Sequence, residues 1–186
     1  MLEGKNVNLE VVEKEDLPLI SEWMADPNFL GEYVALWQKS RMDWQKRYDS
    51  LLPEEKWFLI EKKDGTKVGF IQHFPIHGFQ ELGYALVSNE RGKDYCSEAV
   101  GLIVDYLFLS KNLVRIQACT DVRNVASQKV LEKIGFITRE QRGGLYRRRN
   151  FFRFSDEWRR HGQSSRAKNS TVDSAKISTV GSQMEI

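Results

Sequence analysis

Glu81-Leu82-Gly83-Tyr84-Ala85-Leu86-Val87, then Ser88-Asn89-Glu90-Arg91-Gly92-Lys93-Asp94, then Tyr95-Cys96-Ser97-Glu98-Ala99, is the stretch on which the fold is read. Residues 80–87 alternate, with Leu82, Tyr84 and Leu86 on one face and Glu81, Gly83 and Ala85 on the other, the pattern of a strand. Residues 88–94 are polar and contain Gly92, so they form a loop. A long helix is predicted over 97–109. A small-residue loop entering a helix exposes backbone N–H groups with no intrahelical partner, and the helix dipole adds partial positive charge there. A phosphate suits such a place, and Arg91 and Lys93 add formal charge. The same stretch also suits an ordinary strand-to-helix connection.

Outward from this unit the chain alternates between sheet and helix periodicity. Downstream, 113–120 is a predicted strand and 124–134 a helix that Gly135 ends; 136–140 and 145–154 are a final pair of strands. Upstream, 6–12 is a strand. A helix over 15–24 follows, stopped by Pro27. A second helix runs over 40–51 with Ser40 as its N-cap. Residues 57–62 and 66–74 form a hairpin turned by Asp64-Gly65. Hairpins beside strand–helix–strand crossovers imply an α/β (α+β) domain, with a mixed, mostly antiparallel sheet flanked by helices.

The 186 residues suit one domain over 1–160. Residues 161–186 lack aromatics and apolar periodicity, and this tail is expected to be disordered. No apolar run approaches the ~20 residues of a membrane span, and the N-terminus lacks a signal-peptide core, so a cytoplasmic protein is expected. Cys96 and Cys119 lie far apart, and His73 and His77 flank Pro75 without a third ligand; neither a disulfide framework nor a metal site is expected. The net charge of +2 does not by itself imply a nucleic-acid partner. Arg139, Arg142, Arg147, Arg148, Arg149 and Arg153 crowd the last hairpin, either as a solvated face or as a surface for something anionic.

The strand 81–86 followed by Arg91-Gly92-Lys93-Asp94-Tyr95-Cys96-Ser97-Glu98-Ala99 resembles the acetyl-CoA pyrophosphate loop of the GCN5-related N-acetyltransferase superfamily, whose pattern is Arg/Gln-x-x-Gly-x-Gly/Ala. Arg91 fits its first position. Asp94 stands where the family has glycine, and Cys96 where it has Gly or Ala. A second block, Asn124-Val125-Ala126-Ser127 through Lys133-Ile134-Gly135-Phe136, is similar to the family's cofactor-arm helix. The flanking residues resemble the branch of ribosomal-protein alanine acetyltransferases. The resemblance spans about residues 5–158. It implies a single-domain acyl-CoA N-acyltransferase fold that takes acetyl-CoA as cosubstrate. Leu86, Val87, Arg91, Gly92, Lys93, Asp94, Tyr95, Cys96, Ser97, Asn124 and Ser127 would hold the cofactor. The acceptor would be a primary amine, on a small molecule or a protein N-terminus, and the protein a monomer or homodimer.

Amine acetylation needs a neutral amine, hence a base, and a proton or hydrogen bond for the leaving thiolate. Glu81 is the base candidate, on the cofactor-bearing strand, though a solvent-facing charge fits it equally. Relatives place a tyrosine acid where this chain has Leu131, so Ser127 or Tyr146 would substitute. Cys96 lies near the phosphates, which favours direct transfer over a covalent cysteine intermediate. Two other readings compete with this one. In the first, Asp94 beside a pyrophosphate marks a degenerate member that binds without turnover. In the second, the arginine-rich hairpin marks a ribosome- or RNA-associated protein.

Overall fold

The computed structural model describes residues 1–155 except 35, 112, 114 and 144–147. They belong to one compact unit, Met1–Asp156. In chain order the elements are β1 (Leu2–Glu3), β2 (Val7–Val11), α1 (Leu17–Ala25), α2 (Pro27–Leu30), α3 (Arg41–Asp49), β3 (Lys56–Lys62), β4 (Lys67–Ile76), β5 (Phe79–Leu86), α4 (Tyr95–Ser110), β6 (Arg115–Asp121), α5 (Val125–Ile134), β7 (Ile137–Gly143) and β8 (Arg148–Ser155). Single 3-10 turns precede α1 and follow β5.

Among the described residues the strands form one eight-stranded sheet in the order β1-β2-β3-β4-β5-β6-β8-β7. Every pairing is antiparallel except β5 with β6, as the α4 crossover between them requires. Alternation sorts the core onto two faces. Phe58 and Ile60 of β3 join Leu9, Ile103, Leu107 and Ile116 on the face that carries α4. Trp57 and Leu59 turn the other way and pack with Ile20, Trp23 and Trp44 of α1 and α3. Residues at i, i+3 and i+6 of α1 (Leu17, Ile20 and Trp23) form its buried stripe.

Local chemistry accounts for the boundaries. Ser40 and Asp43 form a reciprocal capping box that starts α3. Gly65 turns the β3–β4 hairpin at φ 85°. His77 and Gly78, at φ 45° and 80°, make a two-residue turn between β4 and β5; both positive angles are what a tight primed turn needs. Three features differ from or add to what the sequence predicts. Pro27 does not merely stop a helix: the Asp26 carboxylate accepts the Asn28 amide at 2.8 Å, and Pro27 opens α2 at its first position. α4 begins at Tyr95 rather than at residue 97, so Tyr95, Cys96 and Ser97 form its first turn. β1 was not expected, being two residues long. The tail 161–186 lies outside the described residues.

Candidate active site

β5 and β6 pair only at Gln80–Ile116, Glu81–Gln117 and Leu82–Ala118. Beyond Leu82 the two strands diverge. On its other edge β5 stays paired with β4 as far as Leu86, and the Val87 amide donates to the Val68 carbonyl at 2.9 Å. Successive residues of a strand point their backbone groups to opposite edges. The N–H groups of Tyr84 and Leu86 therefore face the side where β6 has departed. The Leu86 carbonyl on that side accepts from Arg91 Nε at 3.1 Å. A cavity of about 530 Å³ occupies the gap. Gly83, Tyr84, Ala118, Asn124, Ser127 and Leu131 line it on one side, and Tyr33, Trp37, Trp44, Trp57 and Phe70 on the other.

The loop after β5 is shaped by Gly92 at φ 76° and Asp94 at φ 64°. A β-carbon on Gly92 would meet nothing within 4 Å, so the loop is open there. Asp94 occupies the N-cap of α4, yet its side chain makes no capping bond. The first intrahelical bond is Glu98 N–H to Asp94 C=O at 3.0 Å. The amides of Tyr95, Cys96 and Ser97 thus lie in the first turn without intrahelical acceptors. The Asp94 carboxylate turns away from them and accepts from Lys133 Nζ, at the end of α5, at 2.7 Å.

Arg91 has a different engagement from a phosphate clamp. Besides Leu86, its guanidinium donates to the carbonyls of Asn28 at 2.8 Å and Phe29 at 2.6 Å. It braces α2 against the loop. Lys93 donates to Glu90 at 3.0 Å. The Val87 backbone is used within the fold: its carbonyl accepts the Glu90 amide at 3.1 Å. Burial pushes the Cys96 thiol up to about 12, with Arg91 opposing, so it is protonated at neutral pH.

On α5, the Asn124 side chain caps the helix by accepting the Ser127 amide at 3.1 Å. Ser127 Oγ lies 2.9 Å from the Tyr84 hydroxyl, across the diverging strands. Tyr84 is held above its ordinary pKa by burial, with Cys96 adding to the effect and the Ser127 bond opposing it. Leu131 is 1% exposed and is part of the cavity wall. Glu81 accepts from Gln117 Nε2 at 3.0 Å and is not among the described lining residues. Asp121, buried at the end of β6, lines the cavity and accepts from the Arg123 amide at 2.9 Å and Nε at 3.1 Å. Tyr146 and Arg147 lie outside the described residues. Sequence reasoning missed Tyr84 and Asp121 as site residues. A signal for Tyr84 was present: it shares a strand face with Leu82 and Leu86, which point toward the helix bearing Ser127.

Residues 6–137 match the acetyltransferase (GNAT) domain family. The chain belongs to that family. It is 30% identical over 152 residues to the uncharacterized N-acetyltransferase p20 of Bacillus licheniformis, covering 77% of this chain and 83% of that protein. Two solved acetyltransferase structures share its fold at a TM-score of 0.71. One is the spermidine N-acetyltransferase of Vibrio cholerae with CoA and spermine, 18% identical, covering 83% of this chain and 98% of that one. The other is RimL, the ribosomal L7/L12 alpha-N-protein acetyltransferase, in complex with coenzyme A; it is 15% identical, with coverage of 82% and 95%. The chain is an acetyltransferase. No described helix is long and apolar enough to cross a membrane.

Proposed function

We propose that this GNAT protein moves an acetyl group from acetyl-CoA directly to a primary amine in one sequential step. The observation that carries the reading is the open edge of β5, where the Tyr84 amide faces the cavity and the Leu86 amide points to the same side, one loop before the uncapped first turn of α4. The residues fit the cosubstrate. The α4 amides of Tyr95, Cys96 and Ser97 suit a diphosphate, and Gly92 leaves room for it. Asp94, the residue that stood against binding, faces Lys133 instead. Asn124 and Ser127 line the cavity in the gap.

Acetyl-CoA supplies the acyl group as a thioester. The open β5 amides stabilise the carbonyl oxygen as the acceptor nitrogen bonds to carbon, because charge develops there in the transition state. The acceptor must first lose a proton. Glu81 is one residue short of the last paired position and serves as base through water, since Gln117 holds its carboxylate off the lining. As the C–S bond breaks, Tyr84 O–H and Ser127 O–H donate hydrogen bonds to the leaving sulfur. Tyr84's raised pKa keeps it protonated, so it acts as donor; the nitrogen sheds its second proton as the C–N bond forms, that proton goes to the leaving thiolate, and the first, taken through Glu81, passes to solvent. Cys96 is held neutral and does not act as a nucleophile.

Acetyl-CoA at ~100 times its Kd is expected to raise Tm by several degrees, and thiol release is expected on adding a suitable amine. Cys119 lines the cavity, so Cys119→Ala is the control for direct transfer: turnover should persist. No Tm shift with acetyl-CoA overturns the reading. Loss of turnover in Cys119→Ala with cofactor binding intact overturns direct transfer.

A further inference from the structure

Across the gap from Tyr84 and Ser127, the cavity wall is aromatic. Trp37 and Trp44 stack at 6.1 Å with planes 22° apart. Trp44 meets Trp57 edge-on at 6.1 Å, and Trp57 meets Phe70 at 5.6 Å. Trp37 is 41% exposed, so this wall is reachable from outside. Charge is arranged against cations. Lys39 Nζ sits 5.0 Å from the Trp37 ring centroid and 5.8 Å from that of Trp44, so the chain's own ammonium already covers the faces that would attract a cation. Asp121 is the charged residue among the described lining, and Arg123 holds it. Glu32, next in sequence to the lining residue Tyr33, interacts with the same Arg123. One polar group on the wall lacks a partner: Trp44 is 2% exposed, and its Nε1 donates to nothing among the described residues. A buried donor in that state calls for an acceptor.

Resting on the acetyl-transfer reading above, we propose that the acceptor is a small primary monoamine with an aromatic body and a hydrogen-bond-accepting group. Trp44 and Lys39 set this specificity. The aromatic body packs against the exposed part of Trp37 that Lys39 leaves open, and the polar group accepts from Trp44 Nε1. The cavity's volume, about 530 Å³, is that of a site for small molecules. A polyamine or aminoglycoside would set several ammonium groups against Lys39 with one carboxylate among the described lining, already paired, to receive them.

The test measures thiol release from acetyl-CoA with phenethylamine, 4-methoxyphenethylamine, tryptamine, hexylamine, spermine and kanamycin. The arylalkylamines are expected to exceed spermine and kanamycin in kcat/KM by about tenfold or more. Trp44→Phe keeps the ring and removes the N–H; it should lower kcat/KM for the methoxy compound about tenfold more than for phenethylamine. Because that residue is also packed in the core, a surface variant runs beside it. Lys39→Glu should raise kcat/KM for spermine several-fold and leave the acetyl-CoA Tm shift unchanged. Titrating phenethylamine against tryptophan fluorescence gives a readout independent of turnover, and saturable quenching is expected. The proposal is overturned if spermine or kanamycin is the better substrate, if Lys39→Glu leaves spermine unchanged, or if no amine is acetylated while acetyl-CoA still raises Tm. A missing acetyl-CoA shift would instead sink the acetyl-transfer reading itself, so the two failures are told apart.

Discussion

Asp94 stands at the place where a carboxylate is least welcome to a diphosphate, and its side chain resolves the conflict by geometry. Its left-handed backbone angle preserves the loop, and Lys133 holds the carboxylate away from the α4 amides. Both side chains are largely exposed, so the pair is weak in water and its contribution is local. Asp94→Gly is expected to tighten coenzyme A binding by about two- to fivefold, and Lys133→Ala to weaken it by a similar factor, measured by calorimetry. Unchanged or weaker affinity in Asp94→Gly would mean that the carboxylate does not oppose the cofactor. Tyr84→Phe removes the hydroxyl beside Ser127; kcat should fall about tenfold with little change in KM for acetyl-CoA. A change in KM alone would assign Tyr84 to cofactor binding. The loop itself was legible from Gly92 and the helix that follows. The role of Arg91 was not, because its carbonyl acceptors on Asn28 and Phe29 lie more than sixty residues upstream and no local pattern joins them. Likewise Glu81 had the alternation of a site-facing residue. Its pairing with Gln117 depends on which strand became the neighbour.

Strands and helices were readable where periodicity and turn chemistry agreed. Asp64-Gly65 declared its hairpin, and Ser40 declared the start of α3. The β4–β5 turn was harder, since His77 adopts a positive φ that histidine seldom takes. α2 escaped notice because a proline after an aspartate signals both an end and a beginning. The gap between β5 and β6 was beyond any local reading, as each strand is ordinary by itself and only their pairing stops. Gly69 supports this region from the far edge of β5. A β-carbon there would lie 2.5 Å from both the Ala85 carbonyl oxygen and Leu86 Cδ2. Gly69→Ala is therefore expected to destabilise the fold by about 1–3 kcal/mol in urea unfolding, and to weaken acetyl-CoA binding as β5 shifts. A neutral result would mean that β4 and β5 can separate slightly without harm.

For the molecule as a whole, acidity acts through a group that is not part of the cavity lining. His73 is fully buried between Phe58 and Tyr106, with Nδ1 2.8 Å from Gln80 Oε1. Burial lowers its pKa to about 4; the Gln80 bond opposes this, and Lys111 and Lys56 reinforce it. In the unfolded chain the ring titrates near its ordinary value of about 6.5. Between these values the unfolded chain binds a proton that the folded chain refuses. Stability is thus fully present above about pH 6.5 and declines as pH falls toward 4. Tm should drop more steeply between pH 7 and 5 in the wild type than in His73→Phe, by calorimetric scans; parallel slopes would assign acid sensitivity to other groups. The far end of the same architecture carries a different consequence. Glu98, in the first turn of α4, accepts the amide and side-chain N–H of Asn6, each at 2.8 Å, and Gly4 fits against it where no larger residue would. The opening residues of the polypeptide are in this way moored to the helix whose amides suit the cofactor. A purification handle fused ahead of Met1, or a protease nick after Lys5, would be felt as altered nucleotide affinity far from the cut.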